Sequence, residues 1–121
     1  MLDRHHLMIL QEVARSGSVT AAADRLALSQ SALSHTIRRL EKRFGVEIWT
    51  RHGRTLRLTQ AGEHLLALAR IVLPQFDHAE RTLADFAAGR RGLLRIGMEC
   101  HPCRTWSMRV TPPFLEAWPE V

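Results

Sequence analysis

Apolar residues near the start of the chain recur every three or four positions, which is the spacing of amphipathic helices. Leu7, Leu10 and Val13 predict a first helix over residues 3–15. A second, shorter helix is predicted after Ser18, because a serine hydroxyl can accept a backbone N–H that the first helical turn leaves unpaired. Its apolar side consists of Val19, Ala22, Ala23 and Leu26, and the two alanines are expected to let this helix approach its neighbour closely.

A third helix is predicted over residues 30–44, with Ser29 as its N-cap and Gly45 as the residue that ends it. Its apolar positions are spaced four, three and four residues apart, and they predict the stripe that faces the core: Leu33, Ile37, Leu40 and Phe44. The opposite side of this helix is polar.

A β-hairpin is predicted after the third helix. Residues 47–50 and 55–58 are two short β-prone segments, and Gly53 lies in the turn between them. The three helices and the hairpin together predict a mainly α fold, with a winged helix-turn-helix domain over residues 1–58.

A long fourth helix is predicted from the N-cap Thr59 to Ala88, with Gly89 ending it. Its apolar residues alternate at intervals of four and three, as in a heptad repeat: Leu65, Ala69, Val72, Phe76, Ala79, Leu83 and Phe86. A helix this long extends beyond what the small domain can cover, so we expect the seam to pair with a second copy of the chain. The alternative is a helix lying on its own domain. Residues 59–89 are therefore interpreted as a dimerising linker helix.

Pro74 stands in the middle of this predicted helix. It lacks the N–H that would bond the carbonyl of Arg70, and its ring crowds that carbonyl. The heptad spacing continues without a shift from Val72 to Phe76. We therefore expect a bend near residues 70–74 and no break in the helix.

The end of the chain follows a Gly-Arg-Arg-Gly linker at residues 89–92. A strand is predicted over residues 93–98 and a helix within residues 106–118, with Pro112 and Pro113 in its first turn or before it. These elements are too few to bury a core alone. Residues 90–121 are therefore expected to be a linker and the incomplete start of an α/β effector-binding domain.

The charge balance is basic, with a net charge of +5 at pH 7 and many of the cations between residues 38 and 57. This balance fits a polyanionic partner such as nucleic acid, the alternative being ordinary solvated surface charge. No apolar run is long enough to span a membrane and the N-terminus lacks a signal peptide, so we expect a cytoplasmic protein with no membrane partner.

Patterns that would indicate catalysis are missing from the sequence. It shows no Ser-His-Asp arrangement, no carboxylate pair and no Gly-rich phosphate loop. We therefore expect no enzymatic activity, no cofactor and no metal site.

The polar side of the third helix carries the residues that we expect to read double-stranded DNA. Hydroxyl and amide side chains stand at its N-terminal end and cations follow: Gln30, Ser31, Ser34, His35, Arg38 and Lys42. This order suits a helix in the major groove, where the first residues reach base edges and the cations pass phosphates. The alternative is a polar helix face that meets only solvent.

The predicted hairpin is basic around its turn, at Arg51, His52, Arg54 and Arg57. A basic turn beside a recognition helix suits contact with phosphates or insertion into a minor groove. The alternative is a charged edge strand that resists aggregation. The predicted DNA-binding set is completed by two residues of the hairpin and two near the start of the second helix: Arg51, Arg54, Ser18 and Thr20.

Two cysteines, Cys100 and Cys103, frame a Cys-His-Pro-Cys sequence after the predicted strand, and two are too few for a disulfide framework. One interpretation is a ligand-binding turn, with N–H groups at a helix N-terminus facing an anionic small molecule. The others are a structural turn, and a redox or metal pair. We rank the ligand turn first, because a thioredoxin-like unit needs chain that is absent and a zinc site needs a second ligand pair.

Several parts of the sequence together resemble the LysR-type transcriptional regulators: residues 16–23, 28–37, 40–41, 44–45 and 56–62. The resemblance implies a winged helix-turn-helix, a linker helix paired antiparallel between two subunits, and a two-subdomain sensor for a small-molecule effector. It also implies a tetramer at full length, with RNA polymerase as a further partner.

Carried over by position, the family's base and phosphate contacts fall on Gln30, Ser31, Ser34, His35, Arg38 and Arg54. His35 departs from the arginine that is frequent there. The family's first effector-binding turn falls on Cys100, His101 and Pro102.

A narrower resemblance covers residues 94–103 together with Trp106, Trp118 and Pro119. These residues are similar to the branch of the family that regulates methionine biosynthesis. The resemblance implies methionine-synthesis genes as targets and homocysteine as co-effector. The alternatives are a LysR-type regulator of another pathway, a winged-helix protein without a sensor, and a thiol oxidoreductase using Cys100 and Cys103.

Overall fold

The computed structural model describes residues 1–121, which form five helices and one two-stranded sheet. In chain order the elements are α1 (Arg4–Ser16), α2 (Val19–Arg25), α3 (Gln30–Phe44), β1 (Trp49–His52), β2 (Thr55–Leu58), α4 (Gln60–Ala87) and α5 (His101–Ala117). The chain divides into two compact units, residues 1–76 and 77–121. That boundary falls inside α4, so the division at residues 58 and 89 stays a prediction. No helix has the length and apolar character that crossing a membrane requires.

The helix ends follow the capping residues of the sequence. Asp3 caps α1, so this helix begins and ends one residue later than predicted. Ser18 accepts the N–H of Ala21 at 3.3 Å and Ser29 accepts the N–H of Ala32 at 3.0 Å, which fixes the starts of α2 and α3. The predicted bounds of α3 are confirmed, and Gly45 ends this helix in the left-handed region at a φ of 66°.

The core of the first unit lies where α1, α2 and α3 meet the start of the hairpin. Its buried side chains are Ile9, Leu10, Val13, Val19, Ala22, Ala23, Leu33, Ile37 and Ile48. The predicted stripe of α3 is confirmed at Leu33, Ile37 and Leu40, but it is wrong at Phe44, which is 55% exposed. Phe44 is the last residue of its helix, and its ring borders an open apolar groove with Leu2 and Val46.

Ala27 lies in the turn between α2 and α3 with a φ of 55°, a backbone conformation that costs free energy in any residue with a Cβ. We expect Ala27→Gly to raise the free energy of unfolding by roughly 0.5–1 kcal/mol, because glycine adopts this conformation without steric cost. Chemical denaturation measures the change. Ala14→Gly, at an exposed helical position of α1, is the matched control and should lower stability by about 1 kcal/mol. A loss of stability in both variants would contradict the assignment of strain to Ala27.

The predicted hairpin is confirmed, although its first strand lies two residues later than expected. The strands pair antiparallel, with Trp49 opposite Leu58 and His52 opposite Thr55. Residues 47 and 48 do not join the ladder, since the Ile48 N–H is bonded to the Glu41 carboxylate and the Ile48 carbonyl accepts the Thr59 N–H. The turn is therefore reduced to Gly53 and Arg54, and Gly53 has a φ of 65°.

The helix α4 is continuous through Pro74, as predicted, while the expected bend stays a prediction. Its first half packs on its own domain: Ala69 and Leu73 form a second buried cluster with Leu7, and Ala69 is fully buried. The alternative of a helix lying on its own domain therefore holds for this half. Assigning Ala69 to a seam between chains is corrected accordingly, because its side chain is already covered.

In the second unit, residues 93–98 form no strand, contrary to prediction. A strand requires a hydrogen-bonded neighbour, and the sheet of this chain consists of β1 and β2 alone. The helix α5 begins at His101, five residues earlier than predicted. Pro112 and Pro113 lie in its interior, where each removes a backbone donor without ending the helix.

Candidate nucleic-acid interface

Three separate parts of the first unit meet at one shallow, polar depression of about 150 Å³. Its polar side chains come from the start of α2, the start of α3 and the hairpin: Ser18, Thr20, Gln30, Arg51 and Arg54. These five residues belong to the set that the sequence predicts as DNA contacts, and up to 36 positions separate them along the chain. The fold therefore brings half of the predicted set together.

Gln30 is held in this depression by a neighbouring helix. The Thr20 hydroxyl donates to the Gln30 amide oxygen at 3.3 Å. The oxygen keeps a second lone pair and the amide nitrogen keeps both protons, so the side chain can still pair with a base edge. Thr20 is thus placed as a positioning residue for Gln30.

The other predicted contacts follow along α3, on the side opposite its buried stripe. The exposed residues are Ser31, His35, Arg38 and Lys42, while Ser34 is half-buried. Arg38, Arg51 and Arg54 form no ion pair with an acidic residue of the chain. Their charges are therefore available to an anionic partner without first breaking an internal pair.

The hairpin is fixed beside α3 by polar contacts that the sequence reasoning missed. The Glu41 carboxylate accepts the Ile48 N–H at 2.8 Å. This bond links the C-terminal end of α3 to the residue that precedes β1. At the exit, the Thr59 hydroxyl donates to the Glu47 carbonyl at 2.6 Å. It also accepts the Gly62 N–H at 3.2 Å, which is the N-cap bond predicted for Thr59. Glu41, Thr59 and Gly62 lie in the parts that resemble the LysR-type family, which is the signal that could have singled them out.

Gly62 is required at this junction by close packing. It is buried in the first turn of α4, and a Cβ there would fall on the carbonyl oxygen of Ile48 and lie 3.1 Å from Leu58 Cδ2. Only a residue without a side chain lets α4 start against the hairpin in this way.

Four of the six remaining seam residues of α4, all in its second half, are exposed in the single chain. Phe76 is 43% exposed, Leu83 66% and Phe86 53%, and Ala79 is also exposed. The guanidinium of Arg4 lies over the Phe76 ring at 5.2 Å from its centroid. Leu65 and Val72 are half-buried against the two cores of their own domain.

The three predicted effector-binding residues lie together at the start of α5 in the second unit. Cys100 is the N-cap of this helix, and His101 and Pro102 are its first two residues. All three are exposed, and Cys100 is joined to Cys103 by a disulfide bond. One local disulfide is not a framework, so that expectation is not contradicted, and the pairing leaves the redox interpretation of the two cysteines open.

Comparison with known proteins decides what kind of domain this is. Residues 4–63 match the family described as bacterial regulatory helix-turn-helix protein, lysR family. The chain belongs to the LysR family. The matched residues contain α1, α2, α3, the hairpin and the start of α4. It therefore includes every residue of the predicted DNA-binding set.

Relatives of the LysR family extend the similarity over the whole chain. This chain is 44% identical over 117 residues to the HTH-type transcriptional regulator MetR of Haemophilus influenzae, and the match covers 97% of this chain and 38% of that protein. The chain thus spans less than two fifths of the length of this curated relative.

Two solved LysR-family structures are similar in fold. The structure of CbnR, a LysR family transcriptional regulator, has 28% identity and a TM-score of 0.78 and covers 98% of this chain and 41% of that one. The CbnR_DBD–DNA complex has 32% identity and a TM-score of 0.59, with 74% of this chain and 100% of that one covered. The predicted winged helix-turn-helix fold is confirmed by this likeness.

Proposed function

We propose that this chain is the DNA-binding and dimerising part of a LysR-type transcriptional regulator. The observation that carries the proposal is the polar depression in which Ser18, Thr20, Gln30, Arg51 and Arg54 meet. Base-reading and phosphate-binding side chains from three separate elements converge there. The DNA complex of CbnR, whose chain is fully covered by this one, supports the same use of the domain.

In this proposal α3 enters the major groove with its N-terminal end toward the bases. The Gln30 amide suits bidentate pairing with an adenine, and Ser31 and Ser34 make shorter contacts that tolerate several bases. His35, Arg38 and Lys42 follow along the helix, where it passes the phosphates. Arg51 and Arg54 on the hairpin contact the backbone or a minor groove beside it.

Dimerisation through α4 places two such domains on one stretch of DNA. Phe76, Leu83 and Phe86 are large apolar side chains that their own chain leaves exposed. Pairing of two copies along this helix would cover them and would match a site with two half-sites.

The regulated genes and the effector are proposed from the similarity to MetR. We propose methionine-synthesis genes as targets, homocysteine as co-effector bound in part by Cys100, His101 and Pro102, a tetramer of the full-length protein, and RNA polymerase as a partner at the promoter. Footprinting of the full-length protein upstream of methionine genes, with and without homocysteine, tests this. Protection that changes with homocysteine is expected; protection upstream of unrelated genes alone would assign the regulator to another pathway.

A first expected outcome concerns base reading by Gln30. Gln30→Ala should reduce discrimination at one base pair of each half-site by about 1–3 kcal/mol, because the bidentate pairing is lost. Thr20→Val should cause a smaller loss at the same base pair, since it removes only the bond that orients the amide. Fluorescence anisotropy with a set of single-base operator variants measures both.

Gln75→Ala, which removes an exposed glutamine of α4, is the control and should change neither affinity nor discrimination. Equal weakening of specific and random DNA by Gln30→Ala would show that Gln30 does not read a base.

A second expected outcome concerns Arg54 of the hairpin. Arg54→Ala should lower the affinity for specific and random DNA alike, and reduce the slope of log K against log salt by about one, because one phosphate contact is lost. Titrations at several salt concentrations measure the slope. Arg109→Ala removes an exposed cation of α5 and serves as the charge-matched control. If the two variants behave alike, the assignment of Arg54 is wrong.

A further inference from the structure

The disulfide between Cys100 and Cys103 stands at the N-terminal end of α5, with 5.4 Å between the two Cα atoms. These two are the only cysteines among the 121 residues. Pro102 lies between them and fits this position, since the first residues of a helix need no backbone donor. The helix thus holds the two cysteines three residues apart, within the range in which a disulfide can form and reopen without moving the backbone.

The two cysteines differ in their surroundings. Cys100 is exposed, whereas Cys103 is half-buried in the first turn. The Cys100 side chain forms no capping hydrogen bond, and the first turn carries no acidic residue. The N–H groups and the positive end of the helix dipole are therefore available to a thiolate formed at this end of the helix.

From this arrangement we infer that Cys100 and Cys103 form a reversible thiol–disulfide exchange site for small thiols and their disulfides. The inference does not depend on DNA binding. It rests on the paired sulfurs, on their unequal exposure and on the uncapped start of α5. Because Cys100 also belongs to the proposed effector turn, a thiol-bearing ligand at this turn would meet a sulfur with which it can react.

The exchange proceeds in two steps that balance. A small thiolate attacks the exposed Cys100 sulfur, forming a mixed disulfide and breaking the Cys100–Cys103 bond, and Cys103 leaves as a thiolate. A second small thiolate attacks the ligand sulfur of the mixed disulfide and releases Cys100 as a thiolate. In total, two small thiols are oxidised to their disulfide, the protein disulfide is reduced by two electrons, and the two protons pass to the cysteines. The reverse sequence needs a small disulfide as oxidant.

Glutathione is a suitable probe, because the chain has no other cysteine to complicate the readout. The whole chain is equilibrated with mixtures of reduced and oxidised glutathione and alkylated with iodoacetamide, and the mass of the intact chain is measured by mass spectrometry. We expect one reversible transition between an unmodified disulfide form and a doubly alkylated form. A chain that collects two glutathiones without closing the disulfide, or one that never opens, overturns the proposal.

Single-cysteine variants test the assigned roles. Cys103→Ser should retain a glutathione on Cys100, since the resolving cysteine is gone, and its Cys100 should be alkylated about tenfold faster than the Cys103 of the Cys100→Ser variant. The same comparison in denaturant should remove the difference, because it depends on the helix. Equal rates for the folded variants would contradict an attack site at Cys100.

Discussion

A chain carrying Gly62→Ala is expected to lose about 3 kcal/mol of folding free energy, with a fall in melting temperature on the order of 10 °C. The added methyl group would fall on the Ile48 carbonyl oxygen. The Ile48 carbonyl oxygen accepts the backbone N–H of Thr59 at 2.9 Å, so moving this carbonyl away disrupts the junction between the hairpin and α4. Thermal and urea denaturation measure the loss.

Helix propensity alone predicts the opposite sign at this position, because alanine is better than glycine inside a helix by about 1 kcal/mol. The matched control is Gly97→Ala, where a Cβ would meet no atom within 4 Å. It restricts the unfolded chain in the same way and should leave stability unchanged or slightly raised. A Gly62→Ala chain as stable as this control would disprove the close packing of α4 against Ile48.

The second large effect is expected at the exposed part of the α4 seam. Phe76→Asp combined with Leu83→Asp should convert the dimer into monomers, because two charges per chain would be placed in an apolar interface. Binding to an operator with two half-sites should then fall sharply, since each monomer occupies one half-site. Analytical ultracentrifugation and anisotropy measure the two effects.

His78→Asp combined with Ala84→Asp is the control pair, because both residues are exposed on α4 and lie off the seam. These substitutions should leave the dimer intact. A Phe76 and Leu83 double variant that stays dimeric would show that the chains pair through another surface.

Much of the first unit could be predicted because its signals are local. Ser29 and Gly45 set the bounds of α3, and the interval between apolar residues identifies the buried side of this helix. The expected DNA contacts are predicted from the polar side of α3, the basic hairpin and the start of the second helix. Their meeting at one depression depends on the tertiary fold and was not visible in the sequence.

The features that the sequence did not predict correctly share a physical cause, because each depends on whether distant parts of the chain come into contact. The heptad spacing includes Ala69, yet its side chain is covered by Leu7 of α1. The apolar run at residues 93–98 suits a strand, but no neighbouring strand pairs with it. Gly62 looks like an ordinary helical glycine until the carbonyl of Ile48 is placed beside it.

The central claim is that α3 and the hairpin read DNA in a dimer, and selection of binding sites from a pool of randomised duplexes tests it most directly. The unaltered chain should enrich sequences with two related half-sites. The Gln30→Ala chain should enrich the same sites with one symmetry-related pair of positions relaxed. Failure of the unaltered chain to enrich any sequence, or an unchanged preference in the Gln30→Ala chain, would contradict the account.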